Sequence, residues 1–190
     1  MIRRRPNIQQ RKPIFVGCEG ESERGYIAFL GRLAEQEGLA IHLDPVLLKP
    51  GGGDPCGLIE LAARKLSERV RARGIQYHAK LVLLDQDLVG QVPARDARGF
   101  QTANKFGLQL IWQSPCHEAV LLRHLEHCET LRPPSAPIAE EQLRQRWPAY
   151  EKGMAAAKLG ARLDLAAVRR AAVVEPDLAM LLQIIGLTTA

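Results

Sequence analysis

Short, compact apolar runs alternate along the chain with longer stretches whose apolar residues recur every three or four positions. Ile14-Phe15-Val16-Gly17-Cys18 is the first run and predicts a strand. Ser22 then opens a helix on which Tyr26, Phe29, Leu30 and Leu33 share a face through Glu37, and Gly38 ends it. Leu39 to Leu48 alternates in part and predicts a second strand, broken by "KPGGGDP". Asp54 is placed as an N-cap, with Pro55 at the first helical position. In the helix that follows, Leu58, Leu61, Ala62, Leu66 and Val70 make one face and Arg64, Lys65, Glu68, Arg71 and Arg73 the other, up to Gly74. Leu81-Val82-Leu83-Leu84 is apolar without interruption, as a strand buried on both faces is.

The remaining pattern predicts a shorter helix over 94–107, a strand over Leu108–Trp112, a turn at Gln113–Pro115 and a helix over Cys116–Cys128. "RPPSAP" is a linker, and residues 139–190 are helical in character, with breaks near Trp147-Pro148, Gly160 and Glu175-Pro176. Strand and helix alternate four times. That order predicts an α/β fold with a mostly parallel four-stranded sheet, helices on both faces and a helical C-terminal extension. The expected organisation is an arm over 1–13, an α/β core over 14–130 and the extension over 137–190.

Composition adds a charge asymmetry. The net charge is +5, and Arg3, Arg4, Arg5, Arg11 and Lys12 lie in the first 13 residues without an acid among them. The arm therefore carries the whole excess and the rest is balanced. Such an arm contacts nucleic-acid phosphates or simply keeps the chain soluble. Aromatic residues make up only 5% of the chain, too few for broad base-stacking platforms. The four cysteines form no Cys-x-x-Cys pair, Met1 to Lys12 has no apolar segment of the kind a signal peptide needs, and no run reaches membrane-spanning length. The expectation is a cytoplasmic protein with reduced thiols and no membrane contact.

The chemistry lies in the acids. Glu19 follows the first strand, and Asp85 and Asp87 follow the third, at the strand ends where open α/β sheets place ligands. In extended chain, residues two apart point the same way, so Asp85 and Asp87 can share a target. Glu19 joins them if the first and third strands are neighbours. Three uncompensated carboxylates repel one another, and a hard divalent cation, Mg²⁺ or Mn²⁺, resolves that. The alternative is a set of helix-capping and loop carboxylates. Glu21 and Glu23 stand in the first turn of the predicted helix, which acids stabilise whatever else they do. Glu23 is the expected auxiliary ligand, and Glu21 is accounted for by the helix. His117, His124, His127 and Cys128 lack zinc-site spacing, and "GGGDP" lacks the Gly-Lys-Ser/Thr ending of a phosphate loop.

Four islands resemble the RloB-like protein family: "FVGCEGESERGY", "LVLLDQD", "WQSPCHEAVLLRHL" and "AYEKG". In order they span about residues 13 to 153. The resemblance implies a fold similar to the topoisomerase-primase (TOPRIM) domain of OLD-type nucleases. It implies that Glu19 is a general acid/base or first ligand and that Asp85 and Asp87 hold Mg²⁺. It gives Glu23 a second ion, Glu118 and His124 supporting places, and Lys152 a phosphate contact. The third island departs from the family: the usual Asn after Ser114 is absent, His117 stands for phenylalanine, and Ala119-Val120 replaces the segment with tryptophan.

The resulting expectation is a Mg²⁺-dependent nuclease of DNA or RNA, linked by resemblance to restriction and phage-defence systems. The alternative is a non-catalytic nucleic-acid- or protein-binding subunit whose helical extension docks an ATPase, another protein or a second copy of the chain.

Overall fold

A computed structural model describes residues 10–49, 54–87 and 89–188. Arg3, Arg4 and Arg5, and the glycine run 51–53, lie outside the described residues. The elements are β1 (Lys12–Cys18), α1 (Glu21–Gln36), β2 (Ile41–Leu47), α2 (Pro55–Arg73), β3 (Ala79–Asp85), α3 (Pro93–Phe106) and β4 (Gln109–Gln113), then α4 (His117–His124), α5 (Ala136–Arg146), α6 (Ala156–Gly160), α7 (Leu165–Val174) and α8 (Pro176–Ile185). All four strands are parallel, in the order β2-β1-β3-β4. The fold is a Rossmann-like α/β sheet with a helical C-terminal part.

Alternation along the strands sorts the core into two layers. Ile14, Val16, Leu81 and Leu83 face one side and Phe15, Val82 and Leu84 the other. α1 covers the first side, whereas α2 and α3 pack on the second. The chain moves outward from β1 to β2 and in the opposite direction from β3 to β4, so crossovers of one hand must place their helices on opposite faces. α5 to α8 do not form a core of their own. Leu143, Trp147, Leu159, Val168, Leu178 and Leu182 belong to the same apolar cluster as Ile14, Leu81, Tyr26 and Phe29. Leu178, Leu181, Leu182 and Ile185 of α8 are all buried, and each such side chain contributes about 1.5–3 kcal/mol relative to exposure.

Caps end the elements largely where the sequence puts them. Asp54 Oδ2 accepts from Gly57 N at 3.0 Å, and Gly74 and Gly107 take the left-handed conformation at φ 62° and 63°. Several boundaries differ from the sequence reading; β2 is shorter, at Ile41–Leu47, and β4 runs Gln109–Gln113, taking in Gln113. Lys12 and Pro13 belong to β1, because Lys12 N donates to Ala40 O at 2.8 Å and ties the end of the arm to the sheet. The N-cap of α1 is Gly20, not Ser22. α4 stops at His124, because Leu125 is extended (φ −75°, ψ 145°) and His127 turns the chain at φ 63°. α5 begins inside the linker at Ala136.

One charged side chain is buried among the apolar ones. Arg123 has no exposed surface. It pairs with Glu175, and its guanidinium donates to Ser114 O and Leu131 O. It joins α4, the β4–α4 turn and the α7–α8 junction. At the far sheet edge, Trp112 N of β4 donates to Asp177 Oδ1 of α8 at 3.1 Å.

Candidate functional site: a carboxylate cluster at the strand switch point

β1 and β3 are neighbours, with Val16 opposite Leu81 and Gly17 opposite Val82. From that register Glu19 leaves β1 beside the end of β3, where Asp85 is the last strand residue. The chain departs in opposite directions from these two strands, which makes the gap beyond their C-terminal ends the topological switch point of the sheet. Two helix N-termini, those of α1 and α4, come to the same edge.

The local sequence explains how each acid is held. Glu23 is buried, and its Oε2 accepts from Gly20 N at 2.9 Å, closing the first turn of α1 back on itself. Asp85 Oδ1 accepts from His117 N at 3.0 Å and so caps α4. Gln86 N donates to Gln113 O and Pro115 O, which fixes the end of β3 against the β4–α4 turn. Glu118, also buried, accepts from the Tyr150 hydroxyl at 3.1 Å. Asp87 lies beyond the strand, exposed, in a turn closed by Val89 N on Gln86 O. The alternation that would aim Asp85 and Asp87 together therefore does not operate, because extended chain ends at Asp85.

The electrostatics bind these acids into one cluster. Burial drives the Asp85 carboxyl up to about 9, and the charges of Glu23, Glu19, Glu118 and Asp87 push in the same direction. Glu19 is raised as well, first by burial and then by Glu23, with the backbone N–H of Asp85 partly offsetting the shift. Cys18 and Cys116, beneath the site, are raised by burial, Cys116 to about 12, so neither is a thiolate at neutral pH.

Lys152 reaches the edge of the cluster. Its Nζ is 2.8 Å from Glu140 Oε2 and 3.9 Å from Glu118 Oε1, and Glu140 raises its pKa. The segment that carries it lies across α1: Gly153 N donates to Ser22 Oγ at 2.9 Å, and a Cβ on Gly25 would stand 2.2 Å from Met154 O. His124 stands apart. It is fully buried, Nδ1 donates to Val120 O at 2.8 Å and Nε2 accepts from the Tyr26 hydroxyl at 2.8 Å. Burial lowers it to about 4, which makes it a neutral packing residue. Arg11 of the basic arm pairs with Glu35 at 2.8 Å.

The spacing of residues gave no role to Tyr150 or Gly25, and gave Ser22 only a place at the start of a helix. Only tertiary contact reveals them, although a glycine inside an otherwise regular helix is the kind of signal that marks a close approach.

The donor set consists of carboxylate oxygens, the ligands that Mg²⁺ and Mn²⁺ take. Among the described residues, no three His, Cys, Asp or Glu side chains are already gathered as ligands of one ion. The chemistry of the cluster fits a hard divalent cation, and ligation requires the carboxylates to close further. No family model, curated protein or solved structure matches the chain.

Proposed function

We propose that the chain is a metal-dependent phosphodiesterase acting on DNA or RNA, with the carboxylate cluster as its centre. The observation that carries this reading is the convergence of Glu19 and Asp85 at the switch point, where burial first, and then the charges of Glu23, Glu19, Glu118 and Asp87, hold the Asp85 pKa far above the usual carboxylate range. A site that raises the cost of its own negative charge is one that a cation relieves. The resemblance to RloB-like, TOPRIM-containing proteins points the same way and links the chain to restriction and phage defence.

In this reading Glu19 and Asp85 hold Mg²⁺ or Mn²⁺, with Asp87 and Glu23 as further ligands. When bound, such an ion supplies Lewis-acid polarisation of a phosphoryl oxygen. Water adds to phosphorus as the ester P–O bond breaks, and its proton goes to a carboxylate while the leaving oxygen takes another. A cluster carboxylate not engaged by the ion is the base. Lys152 meets the substrate phosphate, and the basic residues Arg3, Arg4, Arg5, Arg11 and Lys12 steer the polyanion. No helix among the described residues is long and apolar enough to cross a membrane, and all four cysteines are free, which supports a cytoplasmic site of action.

A second reading has its own observation. Glu23 and Asp85 each cap a helix, so the acids already have structural work. On that basis the chain is a non-catalytic subunit that binds nucleic acid, an ATPase or a second copy of itself.

The test is cleavage of labelled single- and double-stranded DNA and RNA with Mg²⁺, Mn²⁺ or EDTA, comparing Asp85→Asn with the unmodified chain. Loss of a ligand should lower ion-dependent cleavage more than about 100-fold. Cleavage that persists in the variant refutes the site, and absence of cleavage on every substrate favours the second reading.

A further inference from the structure

The rim of the cluster carries charge of the opposite sign. Glu21 is the first residue of α1, two positions after Glu19, and Arg24 lies one turn further on. Lys49 follows β2, whose end runs beside β1: Cys18 is opposite Leu47, and Leu48 N donates to Cys18 O at 2.9 Å. Arg24 Nη2 is 2.7 Å from Glu21 Oε2, and Lys49 Nζ is 3.5 Å from Glu21 Oε1. Two cations thus flank a single carboxylate, one on each oxygen, and the trio keeps one net positive charge. Both cations are accessible, with Arg24 51% and Lys49 59% exposed. Ion pairs this exposed are weak, so their present partner does not tie them up.

We propose that Arg24 and Lys49 form a clamp that seats a backbone phosphate of a nucleic-acid strand beside the carboxylate cluster. The proposal rests on the reading of that cluster as a phosphodiester site and adds to it the contacts that fix the strand. A negative centre cannot itself hold a polyanion. A pair of cations spaced about one anion on the β1–β2 side supplies the missing attraction, and the guanidinium adds a fork that fits phosphate oxygens. The centre then accepts the cation that accompanies the scissile phosphate, and the clamp takes its neighbour. Contacts of this type position a strand without reading its sequence.

The experiment measures binding in EDTA, where no cleavage interferes, by fluorescence anisotropy of labelled single-stranded and duplex oligonucleotides between about 50 and 200 mM salt. The full chain is compared with Arg24→Gln/Lys49→Gln and with Lys49→Gln alone, which leaves the Arg24–Glu21 pair of α1 intact. The control is Arg64→Gln/Arg71→Gln, an equal charge loss on the exposed face of α2, across the sheet from α1. The slope of log K against log salt should fall in magnitude by about 0.7 on single strands and about 0.9 on duplex for the double variant, by less than that for the single variant, and not at all for the control. A wild-type slope in the double variant, an equal fall in the control, or no binding by the unmodified chain overturns the clamp. Clamp-dependent binding without any cleavage leaves the clamp standing and removes the nuclease; cleavage that is indifferent to the clamp does the reverse.

Discussion

Replacing Asp85 by Asn removes a charge that the folded chain accommodates poorly, and this should show as added stability. The folded-state pKa of Asp85 is about 9, against an ordinary value of 3.8. The folded state therefore binds the proton more tightly, and folding takes one up between those values. Stability from this group is fully present below pH 3.8 and is lost as pH rises toward about 9. At about 1.4 kcal/mol per pH unit, the folded chain forgoes up to roughly 4 kcal/mol by pH 7. Water at the partly exposed carboxylate and relaxation of its neighbours reduce the expected gain to about 1–3 kcal/mol, or roughly 2–10 °C in Tm for a chain of this size. Asn keeps the oxygen that accepts from His117 N, so the α4 cap survives. The assay is urea unfolding in EDTA at pH 5, 6, 7 and 8 for both proteins. The difference should grow with pH, and added Mg²⁺ should stabilise the unmodified chain but not the variant. A variant less stable at pH 8 than at pH 5, relative to the unmodified chain, refutes the electrostatic account.

Two further predictions concern packing. Gly25→Ala should destabilise by about 1–3 kcal/mol because its Cβ would meet Met154 O at 2.2 Å, whereas Gly31→Ala in the same helix, with nothing nearer than 4.0 Å, should stabilise by about 0.5–1 kcal/mol; thermal unfolding of the pair checks both signs. Arg123→Met should cost up to about 3–5 kcal/mol by leaving buried Glu175 with only the distant approach of Arg132 at 4.0 Å, and the Arg123→Met/Glu175→Gln double variant should recover part of that loss in a denaturation cycle.

The layout of the sheet was legible because each strand is a compact apolar run and each helix carries caps that act locally, such as Asp54, Gly74 and Gly107. What the sequence withheld depends on distant partners. Glu19 and Asp85 meet only because β3 inserts beside β1, a register that no local pattern encodes. Alternation does not place Asp87, because the strand stops two residues earlier; its charge nevertheless acts on both Asp85 and Glu19. Arg123 looks like any surface charge in a helix until Glu175 and two carbonyls surround it. The C-terminal helices showed their apolar faces plainly, but a face does not name the core it will join. Lys80 of β3 caps α3 through Phe106 O at 3.1 Å, a contact across 26 residues that no local pattern shows.

The contact between Trp112 N and Asp177 Oδ1 bears on whether the sheet can grow by adding strands. A parallel sheet has two open margins, each an invitation to cross-strand polymerisation. On the β4 side the carboxylate at the start of α8 occupies a donor that an incoming strand would need. On the β2 side Pro45 has no N–H to offer. Growth of the sheet is therefore discouraged at one position on each margin. A chain ending before α8 would lose four buried apolar side chains and uncover the β4 margin together, turning a folding defect into an aggregation hazard.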